Sequence, residues 1–161
     1  MDLSILAPVG AVVALLFAFF LSRRVMKADE GTDLMKKIAG AVRKGANAYL
    51  KRQYTGVAIF FAVMFVILLI LVVFLVLLVM AFATGGEMLS QFTPFAFLTG
   101  GIWSMLAGLI GMKIATYANG RTANSASKSL NAGLRIAFSA GGVMGFVVVG
   151  LGLLDISIWY F

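Results

Sequence analysis

The feature that most constrains this chain is an uncharged apolar run from Val57 to Ala83, 27 residues long. As an α-helix it would measure about 40 Å, which exceeds the ~30 Å hydrocarbon core of a bilayer. Between Val63 and Met80 the run contains no Gly, Ala, Ser or Thr, the small residues that let helices approach closely in lipid. It therefore predicts a tilted or overhanging transmembrane helix with much of its surface facing lipid.

Three other apolar segments extend the prediction to four spans. The first ends in Arg23-Arg24; because its positive charge follows the apolar run, it resembles an uncleaved span rather than a signal peptide. The whole chain is 62% hydrophobic and 12% charged, which excludes a water-soluble globular domain. We predict an all-α polytopic membrane protein with transmembrane helices at 5–22, 57–83, 94–112 and 136–154.

The charges segregate between the two sides of this topology. All 13 Lys and Arg residues fall in the connecting segments 23–56 and 113–135, whereas Asp2, Glu87 and Asp155 are the charges of the opposite side. The positive-inside bias then places both connecting segments in the cytoplasm and both termini outside. The net charge of +7 is explained by orientation and anionic headgroups rather than by nucleic acid. The simplest location is a prokaryotic plasma membrane.

The first connecting segment has a helical pattern over Asp33–Tyr54. Thr32 can cap its start, and Asp33 in the first turn complements the helix dipole. This indicates an amphipathic helix at the cytoplasmic membrane interface; the alternative is a helix packed on other parts of the protein. Its apolar positions recur at three- and four-residue spacing: Leu34, Ile38, Val42, Ala46 and Tyr49.

The second connecting segment, 113–135, is polar and rich in Ala and Ser. Its composition is typical of an extended helical hairpin that rises out of the membrane, with Gly120 and Gly133 as the only expected interruptions. A solvated hairpin is the simpler interpretation, and support for a cytoplasmic site is the alternative.

Small residues at four-residue spacing on the third and fourth spans predict close helix packing rather than a cofactor site. They are Ala107, Gly111 and Ala115 on the third span and Ala137, Gly141 and Gly145 on the fourth.

The sequence contains no recognisable reaction centre. It has no cysteine and no histidine, which excludes thiol nucleophiles and imidazole metal ligands. No span carries an ionisable residue well inside it, where such residues mark transport sites; Lys113 and Asp155 are expected at helix ends. We therefore predict no catalytic, substrate-binding or metal-ligating residue in this chain.

Two stretches resemble membrane-integral pyrophosphatases, ion pumps driven by pyrophosphate hydrolysis. GLIGMKIATYANGRT (108–122) followed by AFSAGGVMG (137–145) is similar to the N-terminal quarter of that family, as is EGTDLMKKIA (30–39) continuing into GANAYL (45–50). The order and spacing match over nearly the whole chain. One departure is Gly120, where alanine is common. The residues assigned to the family motif, in a structural role, are Met112, Lys113, Asn119 and Arg121.

The resemblance implies the N-terminal, outer-ring part of a homodimeric pump that moves protons or sodium ions. It also implies magnesium, and in some members potassium, bound by later parts of the pump and not by this segment. The remaining helices and the lipid bilayer would be its partners. Because the sequence stops in an aromatic run without a polar tail, a fragment is expected. The alternative is a self-standing four-helix scaffold or small oligomeric channel without enzymatic activity.

Overall fold

The computed structural model describes residues 5–82 and 92–160, and within them all side chains except those of 79–82. Asp2, Ala83, Glu87 and Phe161, which entered the predicted topology, lie outside the described residues. Each of the four helices is long and apolar enough to cross a membrane, which confirms the predicted all-α membrane class. The helices are α1 (Leu6–Lys27), α2 (Asp33–Phe82), α3 (Thr93–Lys128) and α4 (Leu130–Tyr160).

Helix α2 joins two predicted elements into one. Its 50 residues give a length of about 75 Å, more than twice the thickness of the hydrocarbon core. The predicted amphipathic helix is present as the first half of α2. It continues along the axis of the span, however, and does not lie in the membrane plane. The predicted start is confirmed, since the Met35 amide donates to the Thr32 hydroxyl at 3.4 Å.

Helices α3 and α4 form the expected hairpin, with its turn at Ser129. This residue is extended (φ −162°, ψ 149°), and its hydroxyl accepts a 3.2 Å hydrogen bond from the Ala132 amide, which caps α4. The prediction that Gly120 and Gly133 interrupt the helices is wrong, because each lies within a continuous helix. Lys113 is likewise in the middle of α3 and not at a helix end.

The packed core is formed by α1, α3 and α4. Gly150 of α4 is the closest approach to α1: a Cβ there would lie 2.8 Å from Leu15 Cγ and 3.3 Å from the Ala11 carbonyl oxygen. Small and β-branched side chains dominate this core, as expected where helices pack closely in lipid. Its two buried clusters are Ala18, Ala107, Val143, Val147 and Leu151, and Val25, Ala118 and Ala140.

Helix α2 packs mainly on α3 and through different chemistry. The Phe61 and Phe97 rings lie 5.0 Å apart, and the Tyr54 hydroxyl donates to the Met105 carbonyl at 2.7 Å. Within residues 57–78 only Val72 is buried. Phe61 and Phe65 are half-buried against α3, whereas most of the other side chains of 57–78 are exposed in the described part of the chain, as expected for a helix with a lipid-facing surface.

Candidate functional site at the α1–α2 turn

The five residues between α1 and α2 form a tight turn that α3 holds in place. Gly31 has φ of +90°, a conformation that glycine adopts without steric penalty. Its amide donates to Asp29 Oδ1 at 3.1 Å. A Cβ on Gly31 would lie 2.9 Å from Asn124 Cγ, so the turn requires glycine both for its dihedral angle and for its contact with α3.

Two side chains of α3 bind the backbone of this turn. Arg121 Nε donates to the Ala28 carbonyl at 3.0 Å, and Asn124 Nδ2 donates to the Asp29 carbonyl at 3.1 Å. Carbonyls at a helix C-terminus have no partner within the helix, and these side chains satisfy them. Arg121 and Asn124 are both buried, so the solvated interpretation of the 113–135 hairpin is wrong for this face.

Glu30 lies between two guanidinium groups from different helices. Its Oε1 accepts from Arg121 at 2.7 Å and from Arg43 of α2 at 3.0 Å. The Tyr117 ring lies under Arg43, 4.9 Å from guanidinium carbon to centroid, in a cation–π arrangement. One carboxylate thus connects the α1–α2 turn, α2 and α3, and we call Glu30, Arg43 and Arg121 the ion cluster.

The electrostatics of the turn favour ionised carboxylates. Burial raises the pKa of Glu30, but the Arg43 hydrogen bond and the charges of Arg121 and Arg43 outweigh it, so the net shift is downward. The hydrogen bond from the Gly31 amide lowers the pKa of Asp29. Both carboxylates therefore carry full negative charge at neutral pH.

This arrangement connects the α1–α2 turn, α2 and α3 through hydrogen bonds and ion pairs. Arg121 uses Nε and Nη1 on the Ala28 and Tyr117 carbonyls and on Glu30. Among residues 5–82 and 92–160, no group of three or more acidic side chains could hold a metal ion. Through these contacts the ion cluster clamps the α1–α2 turn and α2 onto α3.

Five of the six residues predicted to pack helices, all except Gly145, lie along a furrow between α3 and α4. Ala107 and Gly111 are buried, and Met144 lies against Gly111. Ala115, Ala137 and Gly141 line an open section of about 520 Å³, together with Asn119.

Gly141 and Gly145 are exposed, and a methyl group added at either position would have no other atom within 4 Å. Tight packing at these two glycines therefore stays a prediction that concerns helices outside this chain.

Of the motif residues, Arg121 is the one that enters the ion cluster. Met112 is half-buried, and Lys113 and Asn119 are exposed. Sequence reasoning missed Glu30, Arg43 and Asn124 as partners. A usable signal was the acidic pair Asp29-Glu30 inside a segment that is otherwise rich in Lys and Arg.

These features define a structural part of a polytopic membrane protein. They are the four candidate spans, the open furrow between α3 and α4, and the ion cluster between helix ends. A family model described as inorganic H+ pyrophosphatase matches residues 12–161. The chain belongs to that family.

Curated relatives carry the names of pyrophosphate-energized pumps. A "Putative K(+)-stimulated pyrophosphate-energized sodium pump" of Bacteroides thetaiotaomicron is 54% identical over 96% of this chain. A K(+)-insensitive pyrophosphate-energized proton pump of Methanosarcina mazei is 40% identical over 96%, and one of Moorella thermoacetica is 38% identical over 98%. The chain spans about a fifth of the length of these relatives, 20–21%.

Proposed function

We propose that this chain is the N-terminal part of an ion pump that couples pyrophosphate hydrolysis to proton or sodium translocation. The observation that carries the proposal is the family match over residues 12–161, together with relatives named as such pumps at 38–54% identity. The remaining four-fifths of the relatives' length would supply the reaction centre, including the magnesium site and any potassium site.

Within the pump, the segment would form an outer boundary of helices and brace the helices that carry the chemistry. The exposed aliphatic surface of α2 supports a lipid-facing position, and the open furrow between α3 and α4 supports contact with further helices. The ion cluster would hold the cytoplasmic end of the segment rigid. We also propose a homodimeric pump in a prokaryotic plasma membrane, with both termini of this segment extracytoplasmic.

The direct test expresses the complete protein that contains this segment and measures phosphate release from pyrophosphate in membrane vesicles. We expect hydrolysis that requires magnesium, accompanied by ion uptake. Collapse of uptake by a protonophore would indicate protons, and resistance to the protonophore with ²²Na⁺ accumulation would indicate sodium. Comparison with and without potassium separates the two named classes of relatives. A complete protein that folds and binds no pyrophosphate would refute the proposal.

The bracing role has its own test in Gly141→Leu and Gly145→Leu. Both glycines are exposed within this segment, so neither substitution creates a clash inside it. If further helices pack here, both variants should lower the yield of assembled, active pump. Wild-type assembly and hydrolysis in both variants would contradict the bracing role.

A further inference from the structure

The furrow between α3 and α4 has two sections that meet at Met144. One section, of about 520 Å³, includes Ala115 and Asn119; the other, of about 370 Å³, includes Gly100 and Asp155. From Gly100 to Ala123 the furrow follows α3 for about 35 Å, enough to cover the ~30 Å thickness of the hydrocarbon core. Its length therefore suits a transmembrane helix lying alongside.

Asp155 lies at one end of the furrow, and one of its carboxylate oxygens has an unusual environment. Its Oδ1 is shielded from solvent and has no hydrogen-bond partner among the described residues. The carboxylate approaches α3 so closely that a Cβ on Gly100 would lie 3.3 Å from Oδ2. Buried polar atoms in proteins nearly always have a partner, and leaving one unpaired is costly.

The depth of Asp155 makes this cost larger. Trp159, one helical turn further along α4, donates from Nε1 to the Thr99 hydroxyl at 2.8 Å, and tryptophan side chains favour the membrane–water interface. Asp155 thus lies about 6 Å deeper than Trp159, at a level where a carboxylate is expected to have a partner. Asp155 was predicted near the end of the fourth helix, and it lies within the last two turns of α4.

We propose that the furrow receives a transmembrane helix from the remainder of the protein, and that a donor side chain on this helix hydrogen-bonds to Asp155. The proposal rests on the proposed function, because it assigns the missing partner to the larger part of a pump of which this chain covers about a fifth. A lipid acyl chain could fill the furrow but would leave Oδ1 unpaired.

A second copy of this chain fits less well, since all its basic residues lie in the segments of the opposite side. It would bring no Lys or Arg to the level of Asp155, whereas a helix from outside this chain can carry a charged donor there.

The decisive variant pair is Asp155→Ala and Asp155→Asn in the complete protein. If a donor faces Asp155, alanine leaves that donor buried and unpaired, and the half-life at a fixed elevated temperature should shorten by about tenfold or more. Asparagine keeps an acceptor oxygen and should restore most of the half-life. Asp33→Ala is the matched control, since the Asp33 side chain is fully exposed and makes only a solvent-screened ion pair with Lys36, and it should change the half-life little.

The direction of the change in half-life decides whether Asp155 has a partner. If Oδ1 truly has no partner, removing the carboxylate relieves an unpaired buried atom, so an unchanged or longer half-life for Asp155→Ala would overturn the proposal. Because this readout does not use activity, it also stands if the complete protein fails to hydrolyse pyrophosphate. Loss of the pump function and loss of the Asp155 partner are thus separate results.

A second measurement identifies what fills the furrow. A nitroxide label on Ser104→Cys should show several-fold lower collision with oxygen than a label on Val149→Cys, which is 54% exposed outside the furrow. This segment has no cysteine of its own, so other cysteines need removal only from the remainder. Equal oxygen access at both sites would mean lipid in the furrow, and disulfide-linked dimers through residue 104 would mean a second copy. Either result overturns the proposal.

Discussion

In a water-soluble protein the most apolar helix is expected to be the most buried one. Helix α2 and the core of α1, α3 and α4 show the opposite relation. The most apolar window of α2 has a mean hydropathy of 3.6 but is only 6% buried, whereas that of α4 has 2.1 and is 28% buried. In lipid, burial of apolar surface gives no driving force between helices, so close packing depends on small residues and hydrogen bonds. Side-chain size, and not hydropathy, separates the core helices from the lipid-facing one.

The largest expected effect comes from removing the bond that joins α2 and the α1–α2 turn to the core. Arg121→Ala leaves the Glu30 carboxylate and the Ala28 carbonyl without their α3 donor, and loss of hydrogen bonds to charged groups costs about 1.5–3 kcal/mol. The melting temperature of the protein in detergent, followed by circular dichroism, should fall by many degrees. Lys44→Ala, on an exposed position of α2, should leave it unchanged. Equal melting temperatures would mean that the clamp contributes nothing.

A smaller effect is expected from one methyl group in the core. Gly150→Ala places a Cβ 2.8 Å from Leu15 Cγ and near the Ala11 backbone, and such overpacking costs about 1–3 kcal/mol. Gly10→Ala is the matched control, because its Cβ would have an ordinary 3.6 Å contact with Leu153. Chemical unfolding in mixed micelles should separate the two variants. If the Gly150→Ala protein is as stable as the Gly10→Ala protein, α1 and α4 are farther apart at Gly150 than in this structure.

The same substitution in the core and on α2 compares the packing of the two regions directly. Val143 in the core is 1% exposed and Val73 on α2 is 52% exposed. Val143→Ala should lower the free energy of unfolding by about 1 kcal/mol through lost contacts and a small cavity. Val73→Ala exchanges one lipid contact for another and should have little effect. Similar losses at both positions would mean that residues outside this chain cover α2 at Val73.

The smallest effect concerns pH. The folded pKa of Glu30 is below its ordinary value of 4.5, so its contribution to stability is complete above that value. It is lost as the pH falls through the lower, folded pKa. Unfolding of wild type against pH should therefore show an acid-dependent loss that Glu30→Gln reduces, with both proteins keeping the same slope above pH ~6. Parallel profiles throughout the acid range would contradict the role of Glu30.

The spans were predictable from sequence because uncharged runs as long as Val57–Ala83 have few other uses in a folded protein. The continuity of α2 was harder to predict, since the polar half and the apolar half differ in composition and Gly56, a residue type that often ends helices, lies between them. Gly120 was read as an interruption, yet α3 holds it in a helix against Ala39 of α2. Tertiary contacts here override the intrinsic cost of a mid-helix glycine.

The ion cluster could be predicted only in part. Arg121 belonged to a recognisable motif, but its partner Glu30 lies far earlier in the chain, and spacing rules do not extend over such separations. Gly141 and Gly145 illustrate the opposite limit, because their pattern was visible in the sequence but no described residue packs against them. Local sequence patterns thus predicted which surfaces take part in contacts. The partner of each surface depends on long-range contacts, which local spacing does not reveal.

The unbroken course of α2 has a mechanical consequence. Its polar first half extends about 32 Å from Tyr54 to Asp33, so a rigid α2 that pivots near Tyr54, where the hydroxyl is bonded to α3, would act as a lever. A rocking of the membrane half by about 10° would displace the far tip by about 6 Å, by the geometry of a rigid rod of that length. The Arg43–Glu30 bond, between that pivot and the tip, is placed to resist such rocking.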